Sequence, residues 1–91
     1  MDYLKNYNLS DQDINEIINN IDENDIIEYD IHEENISKIL DYLYKNGFDI
    51  KKLLIKKSYL FYTDAKVLIN KIKELDTLEL KNNIDLFDDL V

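Results

Sequence analysis

The amino-acid sequence predicts an all-α fold of five or six short helices, and three observations carry that prediction. Apolar residues recur at three- and four-residue spacing in successive stretches, as in Ile14, Ile17, Ile18 and Ile21, and again in Ile36, Ile39, Leu40 and Leu43. The chain has no proline and a single glycine, Gly47, which stands where one of these stripes stops. The one segment of strand-like composition, SYLFY at 58–62, has no second convincing strand to pair with.

Gly47 marks the central junction. A basic last turn (Lys45, Asn46) runs into a residue free to adopt positive φ, which is the chemistry of a helix C-terminus. Phe48 is placed to fold back onto the apolar face, and Asp49 offers an N-cap oxygen to a helix over 50–57 carried by Ile50, Leu53 and Leu54. Helices joined by so few residues must turn sharply and pack together, so a helical hairpin is expected here.

Taken in order, Tyr3, Leu4 and Tyr7 suggest a short N-terminal helical turn. Ser10 is a good N-cap for a helix over about 11–21, with Asp11 and Asp13 suiting the positive end of its dipole. Residues 25–29, carrying Ile26 and Ile27, read as one helical turn. Ile31 and His32 read as a connection, and Glu33 as the start of a helix to Asn46. Thr63 is the expected N-cap of a helix to about Leu75 whose face is Val67, Leu68, Ile72 and Leu75. Asp76 and Thr77 break it. Leu78, Leu80, Ile84, Phe87 and Leu90 suggest a last, weaker helix disturbed by Asn82 and Asn83.

The two halves share a pattern. Ile14, Ile17 and Ile18 correspond to Ile50, Leu53 and Leu54; Ile26-Ile27 to Leu60-Phe61; and Ile36, Leu40 and Leu43 to Leu68, Ile72 and Leu75. Each unit runs apolar residue, cap, short helix, apolar pair, cap, longer helix. Such self-similarity is the signature of a helical repeat whose units stack to share a core. The chain is therefore expected to be a single helical domain over 1–91, with repeat-like units at about 4–43 and 43–75 and a C-terminal cap at 76–91. They would pack as a small bundle or short solenoid.

Residues 43–75, LYKNGFDIKKLLIKKSYLFYTDAKVLINKIKEL, resemble the helical repeat of the mitochondrial transcription termination factor (mTERF) family, and 4–43 resemble it more loosely. The resemblance implies stacked three-helix units in a curved superhelix that binds nucleic acid on a basic concave face. This chain departs from the family pattern in lacking the proline before the apolar pair, where Ser58 stands, in its shortness, and in its acidity.

Composition narrows the function. Ninety-one residues with a net charge of −9 contain no cysteine, so neither a disulfide framework nor a thiolate metal site is possible. No apolar run is long enough for a membrane span, and the first residues lack a secretory signal's order, so a cytoplasmic protein without membrane contact is expected. All eleven cationic side chains are lysines, which cannot make the guanidinium fork's bidentate contacts to phosphate or guanine. The charge is uneven. Residues 1–46 carry twelve acids and three lysines, net −9, whereas 47–91 carry eight of each, net zero.

Two surfaces follow from that asymmetry. The acids Asp22, Glu23, Asp25, Glu28, Asp30, Glu33 and Glu34 lack the glycine and alternating ligands of a calcium loop, and instead suit docking of a basic protein partner. Glu28, Asp30, Glu33 and Glu34, with Tyr44 as an aromatic lying off the Ile36–Leu40–Leu43 face, are the expected protein-binding residues. The alternative is nucleic acid held by Lys51, Lys52, Lys56 and Lys57, with Tyr59 as a stacking platform, against the repulsion of the net charge. His32 has no partner nucleophile or second ligand, and one glycine cannot build a phosphate loop. The expectation is a non-enzymatic protein-interaction module needing no cofactor or metal.

Overall fold

A computed structural model describes residues 2–90, and four of its α-helices start at a side-chain N-cap. The order is η1 (a 3-10 helix, Asp2–Tyr7), α1 (Asp11–Asn19), α2 (Glu23–Ile31), α3 (Glu33–Lys45), α4 (Ile50–Lys56), η2 (3-10, Ser58–Tyr62), α5 (Ala65–Lys73), α6 (Thr77–Asn82) and η3 (3-10, Ile84–Leu90). Among the described residues there is no strand. The described residues are all-helical as expected, with three 3-10 segments beside six α-helices.

Several caps are those the sequence announces. Ser10 and Asp13 form a reciprocal capping box at α1, the Ser10 hydroxyl accepting from Asp13 N–H at 3.1 Å and the Asp13 carboxylate from Ser10 N–H at 3.0 Å. Asp49 accepts from Lys52 N–H at 3.1 Å to start α4. Gly47 has φ of 80°, and the N–H groups of Gly47 and Phe48 donate to the carbonyls of Tyr44 and Leu43 at 3.0 Å each. That double bond pattern is the left-handed helix stop, and it turns Phe48 inward.

Four local expectations are corrected. Residues 25–29 are not a single turn but the middle of the nine-residue α2, which takes in Ile31, because nothing before His32 interrupts it. Thr63 is extended and closes η2. The N-cap of α5 is Asp64, whose carboxylate reaches Val67 N–H at 3.1 Å. The inner face of α5 is Ala65, Leu68 and Ile72, leaving Val67 47% and Leu75 41% exposed. Val67 sits about 100° round the helix from Leu68, and Leu75 lies past the C-cap Glu74. The last helix is two pieces, since Asn82 ends α6 and Asn83 breaks the run. Thr77, expected to interrupt, instead opens α6 behind the cap residue Asp76.

The central element is α3. It buries Ile36, Ile39, Leu40 and Leu43, each worth roughly 1.5–3 kcal/mol on transfer from water. Around it pack η1, α2, α4, η2 and α5, while α1 lies on α4, and η3 lies on α5 and α6. Leu4, Tyr29, Leu54, Phe61, Leu68 and Phe87 from six other elements join the buried residues of α3 in one core. The radius of gyration of 12.4 Å matches the roughly 12 Å expected for a folded chain of this length.

Polar ties fix the registers between elements. Asn35 bridges α3 to the η2–α5 junction, donating to the Thr63 carbonyl at 2.8 Å and accepting from Ala65 N–H at 2.9 Å. The Tyr7 hydroxyl donates to Asp41 at 2.6 Å. Burial and the Asp41 carboxylate together push its pKa up to about 12. No helix of the described residues is long and apolar enough to cross a membrane.

Candidate functional site

α2 carries the surface of greatest interest, and its geometry follows from helical period alone. At about 100° per residue, Ile27 and Ile31 each lie about 160° from Tyr29, one on either side. Tyr29 points into the core and is fully buried, so the two isoleucines must face away from it, and they are 57% and 65% exposed. Being four residues apart, they form one line on the helix surface. Isolated exposed apolar residues are ordinary, but an adjacent pair makes a continuous stripe.

Acids frame that stripe. By the same rotation Glu23 and Asp30 flank it on one side and Glu28 on the other, while Glu33 and Glu34 continue it in the first turn of α3. Between 22 and 34 the chain has seven acids and no lysine. Glu33 and Glu34 suit the positive end of α3, but Glu28 and Asp30 stand near the negative end of α2, whose last turn has no base. Acids there oppose helix stability.

Two internal contacts temper the charge. His32, exposed at the α2–α3 junction, approaches Glu28 at 2.9 Å, and Lys38 approaches Glu34 at 3.5 Å. Exposed pairs of this kind are worth little. Asp25 hydrogen-bonds the Tyr62 hydroxyl, whose pKa is raised by burial first and then by that carboxylate. Tyr62 in turn lies against Tyr29 with ring centroids 6.0 Å apart. The Tyr3 hydroxyl donates to the Tyr29 carbonyl at 2.8 Å, latching α2 from the N-terminal side. These contacts fix how the stripe is presented.

The other expected site residues are divided. Tyr44 is exposed as foreseen, but it stands ten residues beyond Glu34, about 15 Å along α3. There it packs edge-on against Tyr7 at 5.8 Å, beside Phe48 and Lys51, so the fold does not bring it to the acids. Lys51 joins α4 to α1 through Asp13 at 3.1 Å and Glu16 at 2.7 Å. Lys57, one of the expected nucleic-acid lysines, is buried along its stem and clasps η3 through Asp85 at 2.8 Å and Asp88 at 3.1 Å. Tyr59 donates its hydroxyl to the same Asp88. Lys52 and Lys56 are exposed, one helical turn apart, and have no ion pair among the described residues.

Ile27 and Ile31 were not legible as site residues, since one reads as half of an apolar pair and the other as part of a connection. The available signal was that Tyr29 and these isoleucines cannot share a helix face. Among the described residues no group of three or more histidine or acidic side chains could hold a metal ion. Compared with known proteins, the chain matches no family model, no curated protein and no solved structure.

Proposed function

We propose that this chain is a non-enzymatic protein-interaction module that docks a basic amphipathic helix of a partner protein on α2. The observation that carries the reading is the exposed Ile27–Ile31 line set among Glu23, Glu28, Asp30, Glu33 and Glu34. A helix with an apolar stripe flanked by lysine or arginine complements it twice over. Apolar contact supplies the held surface, and opposite charge supplies steering and orientation. The uneven charge of the sequence, all of it net in residues 1–46, directs the same partner to the same half.

We also read residues 4–43 and 43–75 as two stacked helical units, as the resemblance to the mTERF repeat implies. In support, corresponding helices pair across the units, α1 on α4 and α3 on α5, although α2 and η2 differ in length and helix type. A second reading, nucleic-acid binding, draws on the exposed pair Lys52 and Lys56. It is weakened by Lys51, Lys57 and Tyr59 being engaged with acids of the same chain.

The test is fluorescence anisotropy with a labelled amphipathic peptide of lysine and leucine, run beside single- and double-stranded oligonucleotides. Ile27→Ser with Ile31→Ser should weaken the peptide at least about tenfold, with unchanged circular dichroism because both residues are exposed. Neutralising Glu28, Glu33 and Glu34 to glutamine should flatten the salt dependence of binding. Oligonucleotide binding that is lost in Lys52→Gln/Lys56→Gln, with no peptide binding, would instead establish the second reading.

A further inference from the structure

We propose that the cleft between α6 and η3 is a second docking site, an anchor pocket for one bulky apolar side chain of a lysine- or arginine-rich peptide. Leu75, Leu80, Leu86 and Leu90 line it, and its volume is about 310 Å³. That lies at the small end of the roughly 300–1,000 Å³ range of ligand clefts, room for one large side chain and not for a docked helix. Leu80 beneath it is fully buried, whereas Leu75 is 41% exposed.

The charge of the rim selects the occupant. Asp76, Glu79 and Asp89 complete the lining, and no basic residue belongs to it. Asp76 is held in place by capping α6, accepting from Leu78 N–H at 2.9 Å and Glu79 N–H at 3.3 Å. The carboxylates of Glu79 and Asp89 make no hydrogen bond or ion pair among the described residues. Lys71 donates to the Leu90 carbonyl at 3.0 Å, so one ammonium stands beside the three carboxylates of the rim. An acidic rim over an apolar floor repels anions and disfavours a second copy of a chain of net charge −9. It attracts an apolar side chain with cationic neighbours. This inference rests on the reading of the chain as a module for basic partners, but on residues separate from the α2 stripe.

The experiment is a residue-resolved NMR titration of the full chain with two synthetic peptides. One alternates lysine and alanine around a central phenylalanine, and the other has alanine in its place. The phenylalanine peptide should shift the amides of Leu75, Glu79, Leu80, Leu86 and Leu90, and the alanine peptide should bind at least about tenfold more weakly. Glu79→Gln with Asp89→Asn, both exposed and structurally untied, should weaken the phenylalanine peptide by about three- to tenfold. Equal binding of the two peptides, or shifts confined to residues 23–34, overturns the pocket and leaves the α2 reading standing. Shifts at the pocket with none at 23–34 support it, and the α2 reading stands or falls separately with the amphipathic lysine–leucine peptide. Silence everywhere at millimolar peptide overturns the pocket.

Discussion

Substituting Tyr29 in two ways separates its ring from its hydroxyl, with opposite expected effects. The ring is the one fully buried side chain of α2. Tyr29→Ala therefore removes the plug that holds the helix to the core, at a cost of about 3–5 kcal/mol. A chain of this size has only about 5–14 kcal/mol in total. The hydroxyl is different, since it is buried with no hydrogen-bond partner among the described residues, and such a group costs about 1–3 kcal/mol. Tyr29→Phe should thus raise the Tm by about 4 °C or more, at roughly 4–8 °C per kcal/mol for a domain this small. Thermal melts read the second effect. Hydrogen exchange reads the first, because Tyr29→Ala should strip protection from Glu23–Ile31 while α3 and α5 stay protected. The proposed docking surface would then fail through loss of α2 rather than of Ile27 or Ile31. A Tm lowered by more than about 4 °C in Tyr29→Phe would mean that the hydroxyl is bonded. Unchanged α2 protection in Tyr29→Ala would show that something else anchors the helix.

Three further outcomes follow from the same structure. Asn35→Ala deletes both bonds between α3 and the η2–α5 junction, and urea unfolding should show a loss of about 2 kcal/mol with an unchanged slope. The Lys57 clasp on η3 should depend on pH at both ends. Lys57 lowers the Asp85 pKa from its ordinary 3.8, so that contribution is present above about pH 4 and is lost as pH falls through the depressed value. Asp85 and Asp88 raise the Lys57 pKa from 10.5, so the clasp is whole below that value and is lost as pH rises through the raised one. Phe87 ring signals followed from acid to alkali should report both edges, and Lys57→Met should abolish the dependence. Gly47→Ala places a side chain at φ of 80° and 3.0 Å from the Lys81 ammonium. It should cost about 1–2 kcal/mol by thermal melt, chiefly from the backbone, because the lysine can swing away.

Where the sequence determined structure, the cause was local. Ser10 with Asp13, Gly47 with Phe48, and Asp49 each bond to backbone within a few residues, so their geometry is set before any long-range contact forms. The inward line of α3 was legible because a 13-residue helix gives the 3.6-residue period room to show. The acidity of residues 22–34 needed only counting. What the sequence left open were choices among near-equivalent residues. Tyr29 rather than Ile26 or Ile27 turned inward, and Ala65 rather than Val67 joined the inner line of α5, because each element takes the rotation that best fills the space α3 and its neighbours leave. That rotation put Ile27 and Ile31 outside. Partners distant in sequence were likewise decided by the tertiary fold. Lys57 and Asp85 are 28 residues apart and Asn35 and Ala65 are 30 apart, and no periodicity encodes such meetings. The same tertiary fold turned two expected nucleic-acid lysines, Lys51 and Lys57, into internal ties and left Ile27 and Ile31 exposed among the acids of the N-terminal half.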